Sequence, residues 1–186
     1  SNVYQKVTVS NNGSAIGGTS AVIPPGSLTI GGGSQEVVLI VEEGSTENLK
    51  EAAQDLALKE NKVEVSGPAI VLRPSSAVQI TGELILTIPT PAAGAGSSLN
   101  LKARLTAQLK NLAIVYLVYD TTKKSLVSGI IGKSDLFVET ADDGKTTVSF
   151  RTKRFGSFQS VILAKSVSQS FEKDSSIKEI RNAKGE

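Results

Sequence analysis

The chain has 186 residues, enough for one generous all-β domain with a real core, and it carries 20 Lys and Arg against 18 Asp and Glu. These charges are interspersed rather than massed, so no basic face for a phosphate backbone is visible and nucleic acid is not an expected partner. His, Cys, Met and Trp are all absent, which excludes the Ser/His/Asp triad, the Cys/His pair, disulfides, thiolate metal sites and imidazole sites for zinc or haem.

In chain order, strands are predicted wherever β-branched and aromatic residues cluster between turn formers. They fall at "KVTV", "QEVVLIVEE", "PAIVLRP", "GELILTIP", "SLNLKARL", "LAIVYLVYD", "DLFVET", "TTVSFRT" and "SFQSVILA". In "SLNLKARL" (98–105), Leu99, Leu101, Ala103 and Leu105 alternate with polar residues, as in a half-buried antiparallel strand. The separators are "PPG" at 24–26, "GGG" at 31–33, "PAAGAG" at 91–96 and "DDG" at 142–144. They supply the fixed or positive φ that tight connections need. Asp143 with Gly144 marks a hairpin.

One stretch departs from this pattern. Residues 45–61, "STENLKEAAQDLALKEN", place Leu49, Ala52, Ala53 and Leu56 at helical spacing behind a Ser/Thr cap, with acids in the first turn. A helix lying across one end of the sandwich is expected. The expected fold class is therefore all-β, a mainly antiparallel β-sandwich with one inserted helix, over residues 1–165. Residues 166–186 form a polar tail, read as a short docked helix or as disorder.

No apolar run approaches the roughly 18 residues of a spanning helix. The missing initiator Met implies a processed or trimmed chain, so a signal peptide or lipid anchor would have lain upstream, and a membrane is reached only through such a lost anchor. Carboxylate or Lys chemistry is what composition leaves available. Glu42, Glu43, Glu60, Glu64, Glu83, Asp120, Asp135, Glu139, Asp142 and Asp143 are the raw material for a paired-carboxylate site, but their spacing singles out no pair, and Glu42 and Glu43 point to opposite faces of a strand. "ADDG" (141–144) resembles an acidic calcium turn without the full loop pattern, and "IGGGS" (30–34) lacks the Lys and Ser/Thr of a phosphate loop. No metal and no cofactor is expected.

Three segments carry a family resemblance. "GGTSAVIPPGSLTIGGGSQEVVLIVEE" (17–43) and "VSGPAIVLRPSSAVQITGELILTIPTP" (65–91) are similar to the opening and middle of the ZU-five domain, the module of ankyrins, zona occludens proteins and netrin receptors. "VSFRTKRFGSFQSVIL" (148–163) resembles the closing strands of ZU-five domains and of the related GAIN domain of adhesion receptors, whose final strand carries a His-containing self-cleavage motif. The resemblance covers about residues 17–164. It implies Ser157 at the nucleophile position and Gly156 as the residue whose carbonyl would be attacked, with Phe155 where the His stands.

Without that His the Ser hydroxyl lacks its general base, since Lys153 and Arg154 are protonated at neutral pH. The resemblance thus implies a non-enzymatic structural or protein-interaction module, secreted or in a bacterial cell envelope, whose partner is another protein. The rival readings are an autoproteolytic domain cleaving between Gly156 and Ser157 and a carbohydrate-binding sandwich. An intracellular scaffold domain like those of ankyrins is a further one. Three Tyr, five Phe and no Trp leave few aromatic faces for a sugar. The expected interaction surface is the loop at 24–33, with Pro24 and Pro25, together with the strand face bearing Tyr116 and Tyr119.

Overall fold

The structure is a computed structural model that describes residues 5–9, 16–30, 38–56, 63–75, 78–90, 109–140 and 145–177. The predicted strand at 98–105 and the turns at 31–33, 91–96 and 141–144 lie outside these residues.

In chain order the elements are β1 (Gln5–Thr8), β2 (Ser20–Ile23), β3 (Leu28–Ile30), β4 (Leu39–Glu43), α1 (Thr46–Asp55), β5 (Val63–Pro74), β6 (Val78–Ile80) and β7 (Leu84–Thr90). They continue with β8 (Leu112–Asp120), β9 (Ser125–Ile131), a 3₁₀ turn (Lys133–Asp135), β10 (Phe137–Thr140), β11 (Thr146–Thr152), β12 (Gly156–Leu163) and β13 (Phe171–Asp174). One sheet runs β1-β2-β7-β11-β10 and the other β13-β9-β8-β12-β5-β4, with β3 and β6 as a separate pair. Every pairing in them is antiparallel. The predicted sandwich is what forms.

The period-two pattern explains which faces meet. In β7, Leu84, Leu86 and Ile88 are fully buried while their neighbours are half-exposed, and Val148 and Phe150 of β11 continue that inner face. Opposite them stand Ile70, Leu72, Ile114, Val118, Val127 and Phe158 of the six-stranded sheet. Each such side chain contributes about 1.5–3 kcal/mol on leaving water. The Phe158 ring packs on Phe150, with centroids 5.4 Å apart, and on Tyr116 at 6.2 Å.

The helix forms on the predicted face but in a different place. Ser45 Oγ accepts the Asn48 amide hydrogen at 3.4 Å, capping the first turn, and Glu47 sits by the positive end of the helix dipole. Leu49, Ala52, Ala53 and Leu56 bury against Ala113, Val115, Leu117, Leu126, Ile130, Val161 and Leu163. Thus α1 covers the outer face of the six-stranded sheet instead of lying across one end. The cause is in β8, apolar on both faces, and in the end of β12, so that a sheet buried on one side only would leave Val115, Leu117 and Val161 in water.

Two further features depart from the sequence reading. Between Gln159↔Ala69 and Val161↔Val65, three residues of β5 (Ser66, Gly67, Pro68) oppose the single Ser160 of β12. Pro68 has no amide hydrogen for a ladder and a bulge accommodates it. The Gly67 carbonyl accepts Gln159 Nε2 at 2.8 Å. The tail, read as helix or disorder, instead supplies β13, which pairs with β9 from Phe171↔Ile130 to Asp174↔Val127. Beyond it, Asp55 of α1 accepts the amide and the hydroxyl of Ser176, at 3.0 and 3.1 Å, tying the tail to the helix.

Candidate functional site

Ser157 sits inside the sheet. Gly156 and Ser157 are paired on one side with Leu72 and Val71 of β5 and on the other with Val118 and Leu117 of β8. A Cβ on Gly156 would collide with the Leu117 carbonyl oxygen and stand 2.7 Å from Val118 Cα, so glycine lets β8 approach closely. Ser157 is 1 % exposed and its Oγ has no hydrogen-bond partner among the described residues. Its side chain faces the helix side of the sheet, together with Leu117.

Lys153 and Arg154 are directed elsewhere, Lys153 toward Glu83 and Arg154 toward Asp120 and Glu172. Among the described residues no group stands ready to take the Ser157 proton.

The structure does not bring the residues of the expected interaction surface onto one face. Pro24 and Pro25 make a type II turn after β2, closed by Ser27 N–H donating to the Pro24 carbonyl at 3.2 Å, with Gly26 at φ 75°. Tyr116 and Tyr119 are three apart on one strand and so point to opposite faces. Tyr119 is exposed on the helix side, while Tyr116 is half-buried on the sandwich side.

Tyr116 leads to a concavity at the side of the sandwich. β10 pairs with β11 only from Thr146 to Ser149, whereas β7 pairs with β11 as far as Thr152. Past Ser149, therefore, one edge of β11 has no strand beside it among the described residues, and alternate residues there turn their amide and carbonyl groups outward. The chain leaves β11 at this point because it is crossing between sheets through Gly132, the 3₁₀ turn and Leu136. That crossing is held by Lys133 and Ser134 amides donating to the Val167 and Ser168 carbonyls at 2.8 and 2.9 Å. The result is a lateral cleft of about 1070 Å³. Its floor is Tyr116, Val118, Ile131 and Phe158, and its rim includes Phe137, Arg151, Lys153 and Glu83.

A polar cluster fixes the cleft's inner end. The Tyr116 hydroxyl donates to Glu172 Oε2 at 2.5 Å, and Arg154 binds both that carboxylate and Asp120, the latter at 3.2 Å. Burial, together with the hydrogen bond to Glu172 and its charge, pushes the Tyr116 phenol well above its ordinary range. Burial alone would raise the Glu172 carboxyl, but the hydrogen bonds from Arg154 and Tyr116 outweigh it and hold it below 4.5. Asp120 is held below its usual value by the Lys123 amide first, then by the Thr122 amide and the Arg154 charge.

Comparison with models of protein families, with curated proteins and with solved structures gave no match.

Among the described residues no group of three or more carboxylates is placed to hold a metal ion, and no helix is long and apolar enough to cross a membrane. Of the carboxylates named from sequence, Glu83 and Asp135 line the cleft, and Asp120 is occupied by Arg154 and by two turn amides. Sequence reasoning missed the open edge of β11, Arg151, Phe137 and Glu172. The only signal for them was that "DLFVET" is shorter than its hairpin partner "TTVSFRT".

Proposed function

We propose that this chain is a non-enzymatic protein-interaction module of a secreted or cell-envelope protein, and that it binds its partner at the lateral cleft beside β11. The observation that carries the reading is the stretch of β11 from Phe150 to Thr152, paired with β7 on one edge but with no strand on its other edge among the described residues, which opens directly onto a cleft with an apolar floor. An open strand edge is a template for pairing with another chain, and folds usually cover or blunt it. Phe137 stands at this edge with 62 % of its surface in water, and aromatic residues of that kind anchor protein interfaces. The location outside the cytosol rests on the resemblance of segments 17–43, 65–91 and 148–163 to ZU-five and GAIN domains.

The test is a photo-crosslinking amino acid placed at Phe137 and, separately, at Tyr119, in the cells that make the protein. One discrete covalent partner from position 137 and none from position 119 is expected. No adduct at 137, or the same adducts from both positions, would overturn the reading.

A further inference from the structure

The chemistry of the cleft also specifies its ligand, an inference that rests on the cleft being the binding site. We infer that the ligand is an extended peptide segment that adds as a strand to β11 at Phe150–Thr152 and sets one carboxylate between Arg151 and Lys153.

The backbone supplies the first argument. Strand addition satisfies the outward amide and carbonyl groups of the open edge, and it gives the ligand an alternating pattern, with successive side chains on opposite faces. One face of such a strand meets the apolar lining of the cleft, where Leu136, Ile131 and Phe150 stand. The other meets the outer side of the five-stranded sheet.

Charge supplies the second. Arg151 and Lys153 are two apart and lie toward this outer side, 76 % and 73 % exposed. They share the single Glu83 carboxylate at 3.7 and 3.9 Å, both beyond hydrogen-bond range. Among the described residues, these two cations facing one distant acid leave a local positive charge and unused donors. Arg154, the third cation of the cleft, is committed to Glu172 and Asp120. At the Arg151 and Lys153 pair the excess is therefore one positive charge, while Asp135 of the same lining accepts from the Ser170 hydroxyl. A side-chain carboxylate flanked by apolar residues fits that excess, whereas a polyanion would be repelled by Glu83 and Asp135 of the lining. A glycan has no counterpart for the strand edge, and the inner aromatic residues Phe150 and Phe158 are buried.

The experiment titrates the isotope-labelled full chain with two capped peptides, Thr-Val-Glu-Val-Thr and Thr-Val-Lys-Val-Thr, and follows amide chemical shifts. The Glu peptide is expected to shift the amides of Phe137 and of residues 150–153 and to bind about fivefold more tightly than the Lys peptide. The double substitution R151E/K153E, on an exposed rim that the fold does not require, is expected to reverse that preference. Equal binding of both peptides at β11 would overturn the acidic assignment while leaving the cleft reading intact. No shift at residues 150–153 with either peptide would overturn strand addition, and the crosslink from position 137 then decides separately whether the cleft binds anything.

Discussion

Tyr116 lies across Gly129 of the neighbouring strand and donates its hydroxyl to Glu172 on the strand beyond it. A Cβ at Gly129 would fall within the Tyr116 ring, so the glycine is the space through which a β8 side chain reaches β13. Gly129→Ala is expected to displace the ring and cost about 2 kcal/mol. Tyr116→Phe, which keeps the ring and loses the hydrogen bond, is expected to cost about 1 kcal/mol. Chemical denaturation, with the midpoint shifting at constant slope, checks both.

The same contact gives β13 a pH dependence. Glu172 and Asp120 both titrate below their ordinary values in the folded chain. Their contribution is therefore complete above the unfolded-state values of 4.5 and 3.8 and is lost as pH falls through the lower folded ones. Amide exchange, corrected for intrinsic rates, is expected to show β13 equally protected relative to β12 at pH 7 and pH 6, and losing protection before β12 does below about pH 4. Simultaneous loss in both strands would mean that the cluster does not hold β13.

Helix α1 tests the outer core. Leu49 is 2 % exposed beneath the helix, and Leu49→Ala is expected to cost about 3 kcal/mol by opening a cavity against β8. Lys50→Ala, on the exposed side of the same turn, is expected to change stability by less than about 0.5 kcal/mol. Thermal unfolding of the two variants separates packing from helix propensity.

How much of this was legible in the sequence follows from how local each feature is. The alternation in Leu84–Thr90 and the helical spacing of Leu49, Ala52, Ala53 and Leu56 are local patterns, and both specify the face that is buried. β9 was missed because Gly129 and Ser128 dilute its strand signal, although the glycine is there to admit a ring from the next strand. β13 was missed because Phe171–Asp174 is exposed at every position and carries no alternation. Its pairing comes from the β9 edge and from contacts to Tyr116, Arg154 and Lys123, all distant in the chain. The cleft is further still from sequence, since it exists only because β10 parts from β11 after Ser149.

The buried Ser157 hydroxyl yields another expectation. With no partner for Oγ among the described residues, Ser157→Ala removes an unsatisfied group and is expected to leave stability unchanged or raise it by up to about 1 kcal/mol. A denaturing intact mass of the protein from its own cells is expected to show one uncut chain. Two fragments meeting between Gly156 and Ser157 would mean that some other group activates the hydroxyl.

The most direct test of the account is amide hydrogen exchange on the chain within its covalent adduct from position 137, compared with the free chain. If a partner strand docks on β11, protection rises at the outward amides of residues 150–152 and stays unchanged at β4, the far edge of the other sheet. Unchanged exchange at residues 150–152, with new protection at β4 or at the Pro24–Gly26 turn, would contradict it.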